Sequence, residues 1–321
     1  MRARIVVNAT GPWSDLLRRL DGETGLTVRG SKGAHIAVPR ERIGNHNALT
    51  LISPLDGRVL FVLPAEEHAI VGTTDTYTSA SPDDVRATRE DIGYLLAAAN
   101  SFFPAASLTH DDVVSAWAGI RPLVPAAAQT PGAVSREHAI STSTRGLVSI
   151  TGGKLTTYRV MAADVMTIVL AALNRPSSPD RTKSIPLPGG DFNSLDALIT
   201  DAARVTNDST MARHLVISYG SRWLRVWSEI NQPGGGESLA DGLPYTIGEL
   251  RYSVREEMAY TLADLLIRRT HIAHDTRDHG VAASEKSAMA LSELFGWDDT
   301  ARRDAIDAYS IEAARVFSVD A

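Results

Sequence analysis

A glycine pair followed by a lysine stands where a strand pattern changes to a helix pattern. The segment covers residues 151–159 and reads TGGKLTTYR. Gly152 and Gly153 allow a ligand to approach the backbone closely, and the N–H groups of the new helix, with Thr151 as its N-cap, attract an anion or an oxygen that gains negative charge. Lys154 adds a full positive charge. We expect an anion-stabilising turn here; a capped structural helix with an exposed lysine is the alternative.

The same segment does not match the phosphate-binding loop of nucleotidases. That motif requires glycine at position 148 and serine or threonine at position 155. The chain has Val148 and Leu155 there. The turn is therefore not predicted to hold a nucleoside triphosphate.

Two arginines in the middle of the chain are separated by a short intervening segment. Arg121 lies between apolar residues in WAGIRPL, directly before a proline, and Arg136 follows in SREH. Two guanidinium groups that converge on one pocket bind a phosphate through bidentate, charge-assisted hydrogen bonds. The pair predicts a phosphate site, and a structural ion pair is the alternative for each arginine.

A histidine and a hydroxyl-rich strand end complete the candidate site. His35, in SKGAHIAV, stands at the mouth of a predicted strand and is the candidate general base, because its ordinary pKa lies near neutrality. The sequence GTTD at residues 72–75 ends another strand, where Thr74 and its neighbours would line a pocket or cap a turn. A structural histidine is the alternative for His35.

Three histidines and an aspartate gather near the end of a predicted helix. They are His271, His274, Asp275 and His279. Their spacing is loose and they lie far along the chain from the other candidates, so we predict no metal site. The chain has no cysteine, which excludes disulfides, thiolate metal sites and cysteine nucleophiles.

The elements that would position these residues begin with a β-rich region. Residues 34–74 contain four strand patterns separated by turn signals, of which Asp56-Gly57 is the strongest, and predict an antiparallel meander. Ser81-Pro82 then predicts the start of a helix with proline at its first position.

The glycine-lysine turn lies between further strands and a long helix. Strands are predicted near residues 139–142 and 147–151, and the helix over residues 155–173. A buried-type strand also occurs at residues 5–7, almost at the first residue. Because a parallel strand buried on both faces needs neighbours, we expect the chain to begin inside a domain.

A linker rich in proline, serine and glycine is predicted at residues 176–189. Beyond it the chain is predicted to be mostly helical. Val254, Met258, Leu262 and Leu265 recur at helical spacing and predict a helix through all four.

Composition and charge limit the possible partners. The 321 residues are 44% hydrophobic and carry a net charge of −6, so no basic nucleic-acid surface is expected. No secretory signal is visible, and the apolar run at residues 160–173 is interrupted by Asp164 and too short to cross a bilayer. We expect a soluble or at most peripheral protein.

The order of these motifs is more specific than any one of them. VVNATGPW, SKGAHIAVP, IVGTTD, WAGIRPL, SREH and SITGGKLTTYR occur in the sequence expected for FAD-dependent glycerol-3-phosphate dehydrogenases, and the tail adds LPGGDF, EEMAYTLADLLIRRT and LFGWD. The chain resembles that family over essentially its whole length. The family is similar in fold to the D-amino-acid oxidase-like flavoproteins.

The resemblance implies an α/β part followed by an all-α part. Residues 1–28 and 137–175 would be remnants of an FAD-binding α/β domain, and residues 29–136 an antiparallel β-rich substrate domain. After the linker, residues 190–321 would form a helical C-terminal domain.

The resemblance also implies an activity and a localisation. The family oxidises sn-glycerol 3-phosphate to dihydroxyacetone phosphate by hydride transfer to FAD and passes the electrons to a quinone or another acceptor. We therefore expect a cytoplasmic protein, peripheral on the inner face of the cell membrane, and a homo-oligomer is a further expectation.

Site roles are carried over from the family motif by motif. Arg121 and Arg136 would hold the substrate, with His35 as the base and Arg121 beside the reacting group. Thr74 and Lys154 would also contact the substrate. The residues that would contact FAD are Asn8, Ala9, Gly11, Gly152, Gly153, Lys154, Leu155 and Thr156.

One family motif is missing from these 321 residues. The glycine-rich GxGxxG turn, which holds the FAD pyrophosphate on a helix end, does not occur. We therefore expect an inactive, truncated form with exposed apolar surface. A glycerol-3-phosphate oxidase that uses oxygen, and a non-catalytic remnant that acts as an interaction module, are the alternatives.

Overall fold

The computed structural model describes residues 2–25, 27–124, 137–177 and 179–320. The chain divides into two compact units, Met1–Ser184 with Val319–Ala321, and Ile185–Ser318. The first unit combines sheets and helices and the second is helical, so the predicted fold class is confirmed. The division falls inside the predicted linker.

The strands described in the first unit form two sheets. They are β1 (Val6–Asn8), β2 (Arg29–Pro39), β3 (Leu49–Ile52), β4 (Val59–Ala65), β5 (His68–Gly72), β6 (Thr76–Tyr77), β7 (Ser115–Leu123), β8 (His138–Thr142) and β9 (Leu147–Gly152). The helices of this unit are α1 (Ser14–Leu20), α2 (Arg40–Ile43), α3 (Arg89–Phe102) and α4 (Tyr158–Ala172).

The six-stranded sheet is built around β2. Its order is β3-β4-β5-β2, with β6 and β7 also paired to β2, and all pairings are antiparallel. β5 and β6 lie along β2 at residues 35–39 and 31–32, and β7 pairs with residues 29–37. The predicted antiparallel sheet is confirmed, and β3, β4 and β5 form a meander, but β2 pairs with β5 and not with β3 as a meander of all four strands would require. The turn between β3 and β4 contains Gly57, whose φ is +75°.

Helix α3 packs on one face of this sheet. Ile36 and Val38 of β2 are fully buried in a core with Ile92 and Leu95 of the helix. The prediction that the helix begins at Ser81-Pro82 is wrong: Asp84 N donates to Ser81 O in a turn there. The helix begins at Arg89, because Thr88 and Asp91 cap each other's backbone N–H groups in a capping box.

The three-stranded sheet has the order β1-β9-β8. β1 runs parallel to β9, and β8 runs antiparallel to it. Val148 is buried, whereas Val6 is 54% and Val7 40% exposed. The strand near residue 5 is therefore present, but the expected burial on both of its faces is not observed.

Helix α4 packs against β9. Val165 and Val169 form a small core with Val148 and Ile150. In the part of the chain that the structure describes, Leu155–Ala172 is the one stretch whose length and composition would allow it to cross a membrane, with a mean hydropathy of 1.4. This corrects the sequence-based estimate, which started the apolar run at residue 160 and found it too short.

The second unit consists of helices around two apolar cores. They are α5 (Leu195–Thr206), α6 (Ser209–Tyr219), α7 (Trp223–Ile230), α8 (Ile247–Glu256), a π-helical segment (Asp264–Arg269), α9 (Ile272–Asp275), α10 (Val281–Phe295) and α11 (Asp299–Phe317).

The predicted helix through Val254 and Leu265 is interrupted. Helix α8 ends at Glu256, and Met258 adopts a left-handed φ of +56° with 70% of its surface exposed. The Asp264 carboxylate accepts hydrogen bonds from Tyr260 N and Thr261 N, which starts a new helical segment. This side-chain cap separates two apolar runs that happen to share one spacing.

Candidate active site

One face of β2 carries the predicted base. Side chains alternate along a strand, so Ser31, Gly33 and His35 share the face opposite the α3 core. In register with them on β7 are Arg121, Gly119 and Trp117. The period of two thus brings the predicted arginine and histidine to one surface of the six-stranded sheet.

Arg121 is held by the segment between β5 and β6. Its Nη1 lies 3.1 Å from Asp75 Oδ1 and donates to Thr74 O at 3.3 Å, while Nη2 donates to Thr73 Oγ1 at 2.8 Å. The guanidinium lies against Gly33, where an added Cβ would be 2.4 Å from Nη2. The charge is therefore fixed in position by its own sheet.

His35 is placed by an aromatic ring and a glycine. Its imidazole stacks on Trp117, with ring centroids 5.7 Å apart and planes 12° apart. An added Cβ on Gly72 would be 2.1 Å from His35 Cδ2, so only glycine leaves room for the ring. Burial, and secondly the charge of Arg121, lower the pKa of His35 to about 4. The imidazole is therefore neutral at neutral pH and free to accept a proton, but it is a weaker base than the near-neutral pKa expected from the sequence would make it.

Thr74 has a different place from the one expected. It is buried, and its hydroxyl accepts a hydrogen bond from Ala34 N at 2.9 Å. The hydroxyl on the arginine belongs to Thr73. The predicted contact of the Thr74 side chain with substrate therefore gives way to a structural role. Arg136 lies outside the described residues.

The carboxyl ends of β1 and β9 lie at one edge of the three-stranded sheet. The Asn8 side chain is fully buried and donates to Ser14 O at 3.0 Å and to Ser149 Oγ at 3.3 Å. Its amide joins β1 to α1 and β9. Ala9, the next residue, is exposed, and Gly11 has a φ of +57°. At this strand end, a ligand can therefore reach the backbone and Ala9, whereas the Asn8 amide is buried.

The glycine-lysine turn follows β9 at the same edge. Gly152 and Gly153 have φ values of +74° and +78°. Added Cβ atoms would lie 2.6 Å from Glu137 O and 2.4 Å from Met161 Sδ, respectively. The glycines are therefore required by backbone conformation and by the chain's own packing, a reason the sequence did not reveal.

The helix after this turn begins with exposed residues. Lys154, Leu155 and Thr156 are exposed, Leu155 to 88%. Thr157 closes the turn, since its hydroxyl accepts from Lys154 N at 3.1 Å and donates to Lys154 O. The expected N-cap, Thr151, instead belongs to β9 and pairs with Ala139.

The end of β7 connects the two sheets. Pro122 Cγ lies 4.0 Å from the position of a Cβ on Gly11, and Val124 Cγ2 lies 2.9 Å from that of Gly152. Arg121 is the next residue before Pro122. The strand that carries the arginine therefore runs directly past two of the three glycines predicted to border the flavin.

The first unit also contains a cleft that is separate from the surface around His35. A cleft of about 630 Å³ beside Pro12, Arg19 and Arg29 includes neither His35 nor Arg121. In the second unit, the described residues contain no group of three potential metal ligands.

Two of the three histidines that the sequence grouped pack against one phenylalanine, and His271 contacts His274. His279 stacks on Phe317 with ring centroids 4.6 Å apart, and His274 meets the same ring edge-on at 4.9 Å. Asp275 accepts a hydrogen bond from Tyr245. These contacts describe a structural cluster.

Sequence reasoning missed several residues around the arginine. Asp75 and Thr73 were considered only as part of a strand end, and Trp117 only as a neighbour of Arg121. The available signal was the two-residue period: it places Ser31 with His35, and Trp117 with Arg121. The contacts of Thr73 and Asp75 with Arg121 depend on the pairing of β5 and β6 with β2, and the sequence alone does not give that pairing.

The residues at the edge of the three-stranded sheet suit the ring end of a flavin. The exposed Lys154 supplies a positive charge at the start of a helix, and both the charge and the positive end of the helix dipole stabilise an electron-rich ring edge. Among the described residues, Lys154 forms no ion pair with a carboxylate.

Two family models match the chain. That of the FAD dependent oxidoreductases matches residues 1–159, and that of the C-terminal domain of alpha-glycerophosphate oxidase matches residues 180–302. The aerobic glycerol-3-phosphate dehydrogenase of Bacillus subtilis is 34% identical over 315 residues, which are 94% of this chain and 56% of that protein. The chain belongs to the family of FAD-dependent glycerol-3-phosphate dehydrogenases.

Further relatives agree with this family. Glycerol-3-phosphate dehydrogenase 2 of Mycobacterium tuberculosis is 35% identical over 92% of this chain and 51% of its own length. The structure of glycerol-3-phosphate dehydrogenase from Bacillus halodurans complexed with FAD matches with a TM-score of 0.82 and 33% identity, over 98% of this chain and 63% of that one. The predicted resemblance is confirmed. The chain spans about half the length of the curated relatives it matches.

Proposed function

We propose that this chain supplies the substrate-binding and proton-accepting part of an FAD-dependent enzyme that oxidises sn-glycerol 3-phosphate to dihydroxyacetone phosphate. The observation that supports this most directly is a fixed guanidinium beside a neutral imidazole on one sheet face. The guanidinium can bind an anionic substrate, and the imidazole can accept the proton that a substrate hydroxyl loses.

Each side chain has a stated task in this proposal. Arg121 binds the substrate on the face of β7, with Arg136 as the predicted second arginine at the phosphate. His35 accepts the proton of the C2 hydroxyl through an imidazole nitrogen. Trp117 and Gly72 keep the imidazole ring in one orientation.

Bound FAD would supply the acceptor for the hydride that leaves C2. The residues that would hold its ring end are Ala9, Gly11, Gly152, Gly153, Lys154, Leu155 and Thr156. The pyrophosphate normally binds at a GxGxxG turn on a helix end, and these 321 residues contain none. We therefore propose that they bind FAD weakly by themselves and are inactive without a nucleotide-binding segment.

The electron acceptor in this proposal is a quinone at the inner face of the cell membrane, and the protein is cytoplasmic and peripheral. Family resemblance is the support for this choice. Oxygen is the alternative acceptor.

The experiment joins the N-terminal half of the Bacillus subtilis relative to this chain. Anaerobic addition of glycerol 3-phosphate should bleach the visible absorbance of the flavin, and glycerol should not. In a second assay, the reduced flavin is reoxidised either by a soluble quinone without oxygen or by oxygen alone. The quinone should restore the colour faster. The Arg121→Ala protein is the matched control.

Three outcomes would contradict parts of the proposal. A flavin-loaded protein that glycerol 3-phosphate does not reduce would remove the activity and favour a non-catalytic interaction module. Faster reoxidation by oxygen would change the enzyme to an oxidase. Full activity of residues 1–321 alone would contradict the need for a further segment.

A further inference from the structure

The link between β5 and β6 contains one residue more than the stretch of β2 that it faces. Gly72 pairs with His35, and Thr76 pairs with Lys32. A step of three residues along β2 therefore faces a step of four on the other side, as in a β-bulge. Bulges redirect side chains and occur often beside active sites.

The segment with the extra residue also places the Asp75 carboxylate on the face of the sheet that carries Arg121. Asp75 Oδ1 lies 3.1 Å from Arg121 Nη1, and the Ser31 hydroxyl donates to the same oxygen. The Asp75 side chain is 14% exposed and that of Arg121 is 24% exposed. Asp75 thus connects β2, through Ser31, with β7, through Arg121.

A second ion pair on β2 provides an internal comparison. Lys32 Nζ lies 2.6 Å from Asp91 Oδ2, and the two side chains are similarly shielded from solvent. Asp91 also accepts from Thr88 N in the capping box of α3. That pair joins the sheet to a helix and contributes to stability on the core face.

The pair on the other face has a different setting. Asp75 caps no described helix. Arg121, with which it forms an ion pair, lies against Gly33 on the face of the sheet that carries His35. A guanidinium has five N–H donors in a rigid plane, so it can bind a carboxylate and an oxyanion of a ligand at once when its plane is fixed. Fixing that plane in advance removes part of the entropic cost of binding.

We propose that Asp75 is a positioning residue that holds Arg121, flat against Gly33, in the orientation that binds the anionic group of the substrate. This rests on the proposed function for the identity of the substrate. Ser31 supports the carboxylate, and Thr73 and the Thr74 carbonyl limit rotation of the guanidinium. Asp75 itself touches no substrate.

The test measures the affinity of purified chain 1–321 for sn-glycerol 3-phosphate and for inorganic phosphate by calorimetry. Asp75→Ala should weaken both about tenfold, the equivalent of one charge-assisted contact. Asp75→Asn should lie between Asp75→Ala and wild type, and Asp75→Glu should recover most of the affinity. A residue with a merely structural role would give loss of stability without this graded order.

Gly33→Ala is an independent variant that leaves every charge in place. The three atoms nearest to the added Cβ all belong to the guanidinium at the end of the long Arg121 side chain, so the fold should persist while the guanidinium is displaced. It should weaken anion binding to a similar extent. Asp91→Asn is the matched control: it should lower the melting temperature and leave anion affinity unchanged.

The outcomes separate the two proposals. If Arg121→Ala abolishes binding but Asp75→Ala and Gly33→Ala do not weaken it, the positioning role is wrong and the substrate role of Arg121 stands. If wild type and Arg121→Ala bind glycerol 3-phosphate equally, or neither binds it, both proposals are wrong. A drop in anion affinity in Asp91→Asn equal to that in Asp75→Ala would also overturn the positioning role.

Discussion

The strand β2 of the six-stranded sheet and the strand β1 of the three-stranded sheet differ in how much of their apolar surface is covered. In the six-stranded sheet, β2 is paired along both edges and α3 buries Ile36 and Val38 completely. In the three-stranded sheet, Val6 and Val7 of β1 and Leu155 before α4 remain exposed. The strand that carries His35 is thus paired on both edges and packed against α3, although β3 and β4 of the same sheet leave apolar side chains exposed: Ile52, Val59, Phe61 and Leu63. The residues proposed to bind the flavin border an open apolar surface.

This difference predicts that substitutions in the six-stranded sheet change chemistry or substrate affinity. In the three-stranded sheet they should change association. His35, Arg121 and Asp75 are held by contacts within their own sheet. Leu155 has few contacts of its own to lose, so its burial depends on another surface.

The largest effect is expected for His35→Gln in the protein joined to the nucleotide-binding half. A neutral amide cannot take the hydroxyl proton, so flavin reduction should slow by about 10²–10⁴-fold, the usual contribution of a general base. Stopped-flow absorbance under anaerobic conditions measures it, with flavin content as the control. An unchanged rate would assign the proton to another group.

Arg121→Ala and Arg136→Ala should each weaken use of glycerol 3-phosphate. Loss of a charge-assisted hydrogen bond costs about 1.5–3 kcal/mol, and every 1.4 kcal/mol is about tenfold in kcat/KM. Arg58→Ala, in the β3–β4 hairpin of the same sheet, is the control and should match wild type. If both site variants also match wild type, neither arginine is in the site.

The stability of the unit should depend on pH through His35. Its pKa falls from 6.5 to about 4 on folding, so between these values the unfolded chain binds a proton that the folded chain does not. Stability is therefore full above pH 6.5 and declines as pH falls toward 4, by about 2 kcal/mol between pH 7 and pH 5.

The second unit has a histidine that should behave in the same way. Burial, followed by the charge of His271, lowers the pKa of His274 to about 4. The pH dependence of the melting temperature should become flatter in His35→Gln, with the remaining slope due to His274 and to His279, whose pKa burial also lowers. Equal slopes for the variant and the wild type would show that His35 is not shielded as described.

The smallest effect is expected at the three-stranded sheet. Exposed apolar patches promote association, so we predict that the chain self-associates and that Leu155→Ser weakens this by about 1 kcal/mol. Analytical ultracentrifugation measures the change, with Leu224→Ser, an exposed leucine of the second unit, as the control. A strictly monomeric wild-type chain would contradict the expected homo-oligomer.

The sequence predicted the parts of the fold that depend on local patterns. The antiparallel strands between residues 34 and 74 followed from alternation and from Asp56-Gly57, and the strand-to-helix change at residues 151–159 followed from a change of period. Alternation also suffices to place His35 and Arg121 on one face once β2 and β7 are paired. That pairing joins segments about ninety residues apart and has no local signal.

The wrong predictions concern ends of elements and the aim of single side chains. Thr88 and Thr157 close turns that were assigned to Pro82 and Thr151, because a hydroxyl reaches a backbone N–H only in the folded turn. Thr74 was chosen over Thr73 because the extra residue after β5 reverses which hydroxyl faces Arg121. One inserted residue changes every side chain beyond it.

The most direct test is a paired calorimetric titration of purified residues 1–321 with sn-glycerol 3-phosphate and with FAD. We predict that glycerol 3-phosphate binds, that Arg121→Ala removes this binding, and that FAD binds only weakly. Stoichiometric, tight binding of FAD would contradict the account of the open three-stranded sheet. Absence of any Arg121-dependent binding of glycerol 3-phosphate would contradict its central claim, that the six-stranded sheet holds the substrate site.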